Sequence, residues 1–369
     1  MSPYEPRDLP VTNLDHSALI GHVGEANAAL AEYSGMLQGI VNPNVMLSPL
    51  TRQEAVLSSK IEGTQATVEE VMEHEAGAQF DDEKKEDIHE IQNYRRSLIV
   101  AQDSLADGRS LNLSLVQALH GILMDSVRGK DKKPGEFRVI QNWIGSPGCA
   151  IEEATFIPPS PLQLNDHLER WQTYMAGDDF DVLCQTAVVH AQFELLHPFM
   201  DGNGRIGRLL IPLFLFTKDR LSSPNFYLSA YLERNRDEYY ERLGAISRND
   251  DWTGWIRFFL VAVNQQSKEN VATIKNIMAL YEKTKDQIRE LTHSQFSYKI
   301  TDALFDRPVF RIGDLAERAD IKKVTVHNLL KPLLDHRGPL MTLRPGAGSR
   351  PAVLAFPELL NICEGKTFL

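Results

Sequence analysis

The sequence predicts a mainly α-helical protein with strands in only two places. Apolar residues recur at helical spacing over most of the chain, whereas the two strand-like stretches each flank a turn rich in glycine and proline. The chain has 369 residues, 43% of them hydrophobic, which is enough for two or three compact units with their own cores.

The first helix is expected over 13–33, where apolar residues share one face, and Gly35 is expected to end it. Pro43 and Pro49 predict a loop. A second helix is expected from about residue 50 to residue 61.

Gly63 is a typical stop for that second helix. Thr67 and Glu70 have the spacing of a capping box, which predicts the start of a helix over 68–76. A charged run then leads into an apolar-periodic segment, so a further helix is expected over 81–106.

The middle of the chain predicts a hairpin between helices. A helix is expected over 113–127, and the segments 137–144 and 150–157 are typical of two short strands around Gly145-Ser146-Pro147-Gly148. Helices resume at about Leu162.

Four further helical segments follow, and the last is expected to be broken in two. They cover 181–196, 205–218, 234–245 and 252–289.

The last part of the chain has a different pattern. A helix is expected over 309–319 and a second one from Lys322, which Pro332 should kink or end. Strands are expected over 340–343 and 352–355, on either side of a turn that contains Pro and Gly. This order of helix, turn, helix and β-hairpin resembles a winged helix domain.

We therefore expect an N-terminal helical region over 1–110, a central core over 111–289 and a winged helix domain over 290–369. Charge supports the last boundary. Residues 296–369 contain 11 Lys and Arg against 8 Asp and Glu, whereas the chain as a whole has a formal charge of −11.

Composition excludes several classes of function. The negative charge argues against a protein that coats nucleic acid or an anionic membrane, and no apolar run is long enough to span a bilayer. Cys149, Cys184 and Cys363 are widely spaced and odd in number, which suits a reducing compartment. We expect a cytoplasmic protein.

The segment His197-Pro-Phe-Met-Asp-Gly-Asn-Gly-Arg-Ile-Gly-Arg208 has the side chains needed to bind a nucleotide polyphosphate. Its glycines allow backbone N–H groups to approach an anion at the start of an apolar helix. Its arginines can pair with phosphate oxygens, its aspartate can bind Mg²⁺, and its histidine can accept a proton near neutral pH.

This segment closely resembles the signature of the Fic domain, a family of enzymes that transfer AMP from ATP to protein hydroxyl groups. The resemblance implies that His197 is the general base and that Asp201 holds Mg²⁺. It implies an anion-binding turn and phosphate-binding arginines at the positions Gly202, Asn203, Gly204, Arg205 and Arg208. Gly207 is interpreted as a position of close packing.

Gly204 bears on the type of reaction. Related kinases of the Doc type have Lys at this position, so glycine favours AMP transfer over phosphorylation. The acceptor would be a Tyr, Thr or Ser hydroxyl of a target protein or of the chain itself.

The proline-bounded hairpin resembles the Fic flap, whose exposed strand pairs with an extended target segment. On that resemblance Trp143, Ile144 and Gly145 dock the target. Tyr239 lies where related enzymes contact the base or ribose, although it is equally consistent with packing inside a helix.

Ser58-Ser-Lys-Ile-Glu62-Gly resembles the inhibitory motif of many Fic proteins. The i, i+4 spacing places Ser58 and Glu62 on one helix face, so the hydroxyl is expected to brace the carboxylate. In the family the glutamate pairs with the second arginine of the signature, here Arg208, and blocks the γ-phosphate. The same Glu62 could instead orient a water that removes AMP from a modified protein.

Two enzyme alternatives are less consistent with the sequence. Gly202, Gly204 and Gly207 also satisfy the dinucleotide-binding fingerprint, but that motif requires a preceding strand, and the residues before it are helical in type. Glu194-x-x-His197 and Glu86-x-x-His89 could be ligands of a di-iron bundle, although Glu86 lies in a charged run typical of a solvated face.

The serious non-enzyme alternative is a DNA-binding regulator in which the Fic core is a sensor. Candidate DNA contacts open the second helix of the winged helix region, namely Lys322, Lys323, Thr325 and His327, with Arg344 and Arg350 on its hairpin. The state of assembly stays open, a homodimer included.

Overall fold

Helices make up most of the protein, which confirms the predicted fold class in its main feature. The computed structural model describes residues 2–40, 42–125, 130–146, 148–336, 338–348 and 350–365. Its α-helices are α1 (His16–Gln38), α2 (Pro43–Met46), α3 (Ser48–Ile61), α4 (Val68–Glu75), α5 (Asp82–Ala106), α6 (Leu113–Leu123), α7 (Leu164–Ala176), α8 (Val182–Leu196), α9 (Asn203–Thr217), α10 (Ser229–Arg234), α11 (Arg236–Asn249), α12 (Trp252–Thr292), α13 (Ser297–Asp306), α14 (Ile312–Arg318), α15 (Lys323–Leu333) and α16 (Pro357–Glu364). Its strands are β1 (Val309–Phe310), β2 (Met341–Arg344) and β3 (Val353–Ala355).

The chain forms two compact units, each built from separate stretches of sequence. The first contains Met1–Gln38, Leu57–Thr64 and Gln92–Lys268, and the second contains Gly39–Val56, Gln65–Ile91 and Glu269–Leu369. This division differs from the three predicted domains because α3, α5 and α12 each contribute residues to both units. The boundaries at 110 and 289 stay a prediction.

The core of the first unit consists of α8 packed against α9. Every residue of α8 except Val182 and Glu194 is buried, its polar side chains Gln185, His190 and Gln192 included. Two tryptophans fix its position, since Trp171 and Trp255 donate their indole N–H groups to the carbonyls of Val189 and Ala187. The loop between α8 and α9 is therefore held by two deeply buried helices.

Near the N-terminus of the chain, one predicted helix end and one predicted loop are wrong. Gly35 does not stop α1, which continues to Gln38 because Leu37 is buried and extends the apolar face. The loop predicted from Pro43 and Pro49 is also wrong. Both prolines lie in the first turn of a helix, where the missing N–H costs no intrahelical bond.

Of the remaining expectations, one is confirmed and one is wrong. The predicted capping box is present, because Glu70 N donates to the Thr67 hydroxyl and Thr67 N donates to the Glu70 carboxylate. The expected break in the helix that begins at Trp252 is absent, and α12 runs unbroken for 41 residues. The predicted end of α6 at Val127 lies outside the described residues.

The predicted hairpin is present only as one isolated antiparallel bridge, between Ile144 and Phe156. The two expected strands are wrong, because the polar groups of the first segment find partners elsewhere. Arg138 N donates to Pro198 O, and the side chains of Gln141 and Asn142 donate to backbone carbonyls. A 3-10 turn over Ile151–Glu153 replaces the middle of the second segment.

The second unit contains a small sheet with the strand order β1-β3-β2. Both pairings are antiparallel, with Val309 opposite Ala355 and Met341 also opposite Ala355. The helix predicted to begin at Val309 is wrong at its start, since Val309 and Phe310 are buried and form β1 before α14. The strands predicted on either side of the 344–350 turn are confirmed as β2 and β3.

Among the residues that the structure describes, none lies in a helix long and apolar enough to cross a bilayer.

Candidate active site

The loop between α8 and α9 takes its shape from two residues with positive φ. His197 caps α8 with φ 47°, and Gly202 precedes α9 with φ 77°. The positive φ favours glycine at position 202, and a Cβ there would also lie 2.9 Å from Met124 Sδ, so the methionine side chain would have to shift. The Asn203 amide closes the loop from inside, because it accepts from Phe199 N at 2.8 Å and donates to Phe199 O at 2.9 Å.

His197 is half-buried and presents a free imidazole nitrogen. Its Nδ1 lies 3.3 Å from the Glu194 carbonyl, which can only accept a hydrogen bond, so Nδ1 holds the proton and Nε2 keeps its lone pair. Burial lowers the pKa of His197 to about 4. At neutral pH the ring is therefore an uncharged base.

Arg138 holds the histidine's backbone in this position. Its Nε donates to His197 O at 2.9 Å, and its Nη2 donates to Pro159 O at 2.6 Å and to Leu196 O at 3.3 Å. The guanidinium is buried among these carbonyls, and that burial lowers its pKa to about 10. Arg138 thus caps α8 and ties it to the segment that follows the predicted flap. No pattern in the sequence indicates this role of Arg138.

His120 braces the other side of the loop. Gly135 N donates to His120 Nδ1 at 2.9 Å, so Nε2 carries the proton and donates to Asp201 O at 3.0 Å. The ring stacks on Phe199 with centroids 3.7 Å apart. Burial lowers the pKa of His120 to about 4, which keeps the ring neutral.

Asp201 presents its carboxylate at the surface of the loop. The side chain is 49% exposed, and its Oδ1 accepts from Gly202 N at 2.6 Å and lies 3.6 Å from Arg205 Nη2. Arg205 is buried, with Nη2 also 3.9 Å from Met124 Sδ. Among the described residues no cluster of three His, Cys, Asp or Glu could hold a metal ion.

Arg208 is the most constrained side chain of the site. Its Nε donates to Ser58 Oγ at 2.9 Å, and its Nη2 donates to Ser58 O at 2.8 Å and to Glu62 Oε1 at 2.7 Å. The expected brace of Glu62 by the Ser58 hydroxyl is therefore wrong. That hydroxyl accepts from Arg208, because the guanidinium reaches across the last turn of α3 and takes both residues.

The ion pair between Glu62 and Arg208 is asymmetric in burial. The Arg208 side chain is 1% exposed and that of Glu62 is 33% exposed. Burial alone would raise the pKa of Glu62, but the adjacent Arg208 outweighs this effect and the pKa is lowered. Arg208 Nη1 is buried without a hydrogen-bond partner in the part of the chain that the structure describes.

Two glycines of α9 give these carboxyl groups their space. A Cβ at Gly204 would lie 2.1 Å from Glu62 Oε1, and a Cβ at Gly207 would lie 2.2 Å from Glu194 Oε1. The close packing expected at Gly207 is thus against Glu194. Burial raises the pKa of Glu194 to about 8, so this carboxyl group is mostly protonated at neutral pH.

Tyr239 is fully buried beside the site, and its partner defines its hydrogen bonding. His190 Nδ1 lies 2.9 Å from Gly207 O and must donate to it, so His190 Nε2 accepts from the Tyr239 hydroxyl at 3.0 Å. Burial lowers the pKa of His190 to about 3. The sequence alone could not indicate this contact, because it depends on how α11, which carries Tyr239, packs against α8, which carries His190.

The catalytic candidates share one cavity of about 740 Å³. Of the predicted site residues, its wall contains His197, Gly204, Arg208, Glu62, Tyr239, Trp143, Ile144 and Gly145. The other predicted residues of the site do not line this cavity, namely Asp201, Gly202, Asn203, Arg205, Gly207 and Ser58. Tyr240 also lines the cavity, and its hydroxyl donates to Ile61 O at 3.4 Å.

The predicted flap contributes an exposed apolar edge to this cavity. Ile144 pairs with Phe156 through hydrogen bonds from Ile144 N, Phe156 N and Thr155 N. Trp143 and Ile144 are each 41% exposed, and the Trp143 indole donates to Cys149 O at 3.1 Å.

Known proteins share both the sequence pattern and the fold. Residues 20–103 match the family described as Fic/DOC family N-terminal, and residues 110–215 match the Fic/DOC family itself. Together the two matches cover slightly more than half of the chain and include every residue of the signature loop. The chain belongs to the Fic/DOC family.

Curated relatives of this Fic protein match over limited segments. A probable protein adenylyltransferase of Aquifex aeolicus is 31% identical over 91 residues, which are 24% of this chain and 26% of the relative. The protein adenylyltransferase Fic of Nematostella vectensis is 27% identical over 139 residues, which are 37% of this chain and 30% of the relative. The chain thus spans less than a third of the length of these relatives.

Solved structures show the same fold over nearly the whole Fic chain. A Fic family protein from Desulfovibrio desulfuricans G20 aligns with a TM-score of 0.56 at 18% identity and covers 96% of this chain and 98% of its own. Fic-1 (residues 134–508) from C. elegans aligns with the same score of 0.56 at 16% identity, covering 70% of this chain and 75% of its own.

The predicted DNA contacts lie in the second unit. Lys322, Lys323 and His327 are exposed on or beside α15, whereas Thr325 is half-buried. Arg344 is already engaged, since it forms an ion pair with Glu73.

Proposed function

We propose that this Fic protein transfers AMP from ATP to a hydroxyl group of a protein, and that Glu62 holds the enzyme in an inhibited state. The observation that carries the proposal is one cavity that contains both an uncharged His197 base and a guanidinium occupied by Glu62. The names of the relatives, protein adenylyltransferases, support the same reaction.

In the proposed reaction the protein hydroxyl loses its proton to His197 Nε2 as its oxygen attacks the α-phosphorus of ATP. The bond between the α-phosphorus and the bridging oxygen breaks, and pyrophosphate leaves with that electron pair. The fixed tautomer of His197 suits this step, because Nδ1 is committed to the Glu194 carbonyl and only Nε2 can accept.

Magnesium ion fits this site as a companion of the nucleotide. Mg²⁺ is commonly held by one or two carboxylates together with substrate phosphates, and Asp201 offers one half-exposed carboxylate. Asp201 would hold the ion, and the ion would offset negative charge on the leaving phosphates. The arginines Arg205 and Arg208 supply positive charge from the protein itself.

Inhibition follows from competition for Arg208. A carboxylate and a phosphate oxygen both bind a guanidinium through the same planar N–H groups, so Glu62 and an outer phosphate of ATP exclude each other there. Arg208 is held in place by Ser58 whether or not Glu62 is present, so the phosphate site survives when Glu62 leaves.

The main test measures labelled AMP on protein with ATP and Mg²⁺ present. Glu62→Gly is expected to incorporate more AMP than the wild type, and His197→Ala in that background is expected to lower incorporation by about 10²–10⁴-fold. Mass spectrometry must find AMP on the acceptor, since phosphate would indicate a kinase. A second assay separates AMP transfer from AMP removal by measuring the loss of AMP from a pre-modified acceptor with the wild type and with Glu62→Ala. AMP removal is favoured if this loss depends on Glu62.

We propose, as a second function, that the C-terminal region is a winged helix that binds DNA. The support is the order α13, β1, α14, α15, β2, β3 and the exposed cations Lys322, Lys323 and His327 on or beside α15. A gel shift with the full chain at low salt is expected to retain duplex DNA. The variant Lys322→Glu/Lys323→Glu should release it, and no retention by the wild type would reject the proposal.

A further inference from the structure

The N-terminal residues 2–8 form an extended strap that contacts the flap. Tyr4 N donates a main-chain hydrogen bond to Ile157 O at 2.8 Å, and the Tyr4 ring packs against Phe156 with centroids 5.7 Å apart. These two residues belong to the second leg of the flap, which we define as residues 154–159. The first leg is defined as residues 137–145.

The other end of the strap is bound to the end of α11. Arg7 holds Asp250 through two contacts, from Nε to Oδ1 at 2.9 Å and from Nη2 to Oδ2 at 2.7 Å. Asn13 donates to the same carboxylate at 2.6 Å, and Asp8 pairs with Arg170 at 3.1 Å. A two-contact pair between arginine and carboxylate fixes direction as well as distance. The strap therefore joins the flap to the helix that carries Tyr239.

The strap occupies one edge of the flap and leaves the other open. In an antiparallel pair, neighbouring residues direct their backbone groups to opposite sides. Ile144 and Phe156 bond to each other, so Ile157 faces outward, where Tyr4 takes its carbonyl. On the first leg, the main-chain groups of Trp143 and Gly145 make no backbone hydrogen bond within the described residues.

We propose that the strap is a positioning element that fixes the second leg, so that a protein substrate can pair only with the Trp143–Gly145 edge. The role of that edge in docking rests on the proposed function, whereas the strap contacts do not. Burial, together with Asp250, raises the pKa of Tyr4 to about 12, so its phenol is neutral and acts here through packing.

A second cavity supports this placement. It has a volume of about 970 Å³ and lies between the strap and the flap. Both this cavity and the candidate active site are lined by Thr155, Phe156, Ser247 and Arg248, so the residue that Tyr4 packs on borders both spaces. Loss of the Tyr4 ring would let Phe156 move and would join them.

Hydrogen–deuterium exchange tests the strap without any need for activity. The probes are the amides of Ile144, Thr155 and Phe156, which hold the two legs together. Tyr4→Ala is expected to accelerate their exchange about five- to tenfold, as for a local opening that loses one anchoring contact. Tyr4→Phe keeps the ring and should restore protection. Glu5→Ala, at an exposed neighbour in the same strap, is the matched control and should match the wild type.

Arg7→Ala is the second variant and should give the same acceleration from the other anchor. The buried amides of α9 are the internal reference and should not change. Unchanged exchange at the three flap amides, or equal acceleration in α9, would overturn the proposal that the strap fixes the second leg of the flap.

Activity is measured separately in the Glu62→Gly background. Tyr4→Ala is expected to lower AMP incorporation into protein about fivefold while the KM for ATP stays the same. The reason is that, among the described residues, the strap makes no contact with the segment 197–208. An unchanged rate, or an equal change in KM for ATP, contradicts the docking role. If Glu62→Gly with an intact strap incorporates no AMP, the transferase proposal fails, and the exchange result still decides the strap.

Discussion

Replacing Glu62 by glycine is expected to raise AMP transfer about ten- to hundredfold. Glu62 Oε1 lies 2.7 Å from a guanidinium nitrogen of Arg208 that water scarcely reaches. Hydrogen bonds to charged groups contribute about 1.5–3 kcal/mol, and the one-third exposure of Glu62 favours the lower part of that range. Because each 1.4 kcal/mol is a factor of ten in an equilibrium constant, loss of this competitor should increase the ATP-competent population by about one to two powers of ten.

The variant Glu62→Gln separates charge from shape. It keeps the length of the side chain and a carbonyl oxygen for Arg208 Nη2, but it removes the negative charge. A neutral acceptor forms a weaker bond, about 0.5–1.5 kcal/mol, so the rate is expected between those of wild type and Glu62→Gly. Glu62→Asp keeps the charge but is one methylene shorter, and it should also release Arg208 if the contact depends on reach.

Two measurements check this prediction. Labelled AMP incorporation gives the rate at ATP concentrations below and above KM, and calorimetric titration of MgATP gives its affinity in the His197→Ala background, where transfer is expected to be about 10²–10⁴ times slower. The affinity should rise with the rate. Equal incorporation by wild type and Glu62→Gly, together with equal MgATP affinity, would refute the assignment of Glu62 as a competitor for Arg208.

Three other predictions concern the same unit. His197→Ala in the Glu62→Gly background should lower AMP transfer by about 10²–10⁴, the usual contribution of a positioned base, with unchanged MgATP binding by calorimetry. His190 and His120 are buried and neutral with pKa values of about 3 and about 4, below the unfolded value, so stability is lost as pH falls below about 6.5. Urea unfolding should show about 2 kcal/mol lost per histidine between pH 7 and pH 5, and His120→Gln should reduce that loss. Gly204→Ala should displace the Glu62 carboxylate, so that Glu62 competes less with ATP for Arg208 and the affinity for MgATP rises. An unchanged MgATP affinity would contradict the inference that a Cβ at 204 displaces Glu62.

The sequence predicted the site best where function depends on neighbours along the chain. The segment from His197 to Arg208 is one short turn followed by the first residues of α9, so its glycines and its histidine must lie close together in any fold that keeps α8 and α9. The same reasoning located the capping box of Thr67 and Glu70, which the structure confirms. Both are local arrangements, in which spacing alone fixes geometry.

The residues that the sequence missed act through contacts between distant segments. Arg138 reaches the carbonyl of His197 across 59 positions, and His120 reaches that of Asp201 across 81. No periodicity identifies a buried arginine whose partners are all backbone carbonyls, because those partners carry no sequence signal. The flap strands failed for a related reason, since Arg138 N and the Asn142 side chain bond to carbonyls of the α8–α9 loop, Pro198 O and Phe199 O.

Gly204 bears on two features that were predicted separately from the sequence, namely the type of reaction and the contact of Glu62 with Arg208. Its lack of a side chain was interpreted as a mark of AMP transfer, and the inhibitory glutamate was interpreted as a separate device 142 positions earlier in the chain. In the structure a Cβ at Gly204 would lie 2.1 Å from Glu62 Oε1 and 3.0 Å from Arg208 Nη1. Any side chain at 204 would therefore occupy the space that Glu62 needs to reach Arg208. It follows that a side chain at 204 would force the Glu62 carboxylate to move away from Arg208, so the glycine that suits the proposed AMP transfer is also the one that leaves room for the proposed inhibitory contact.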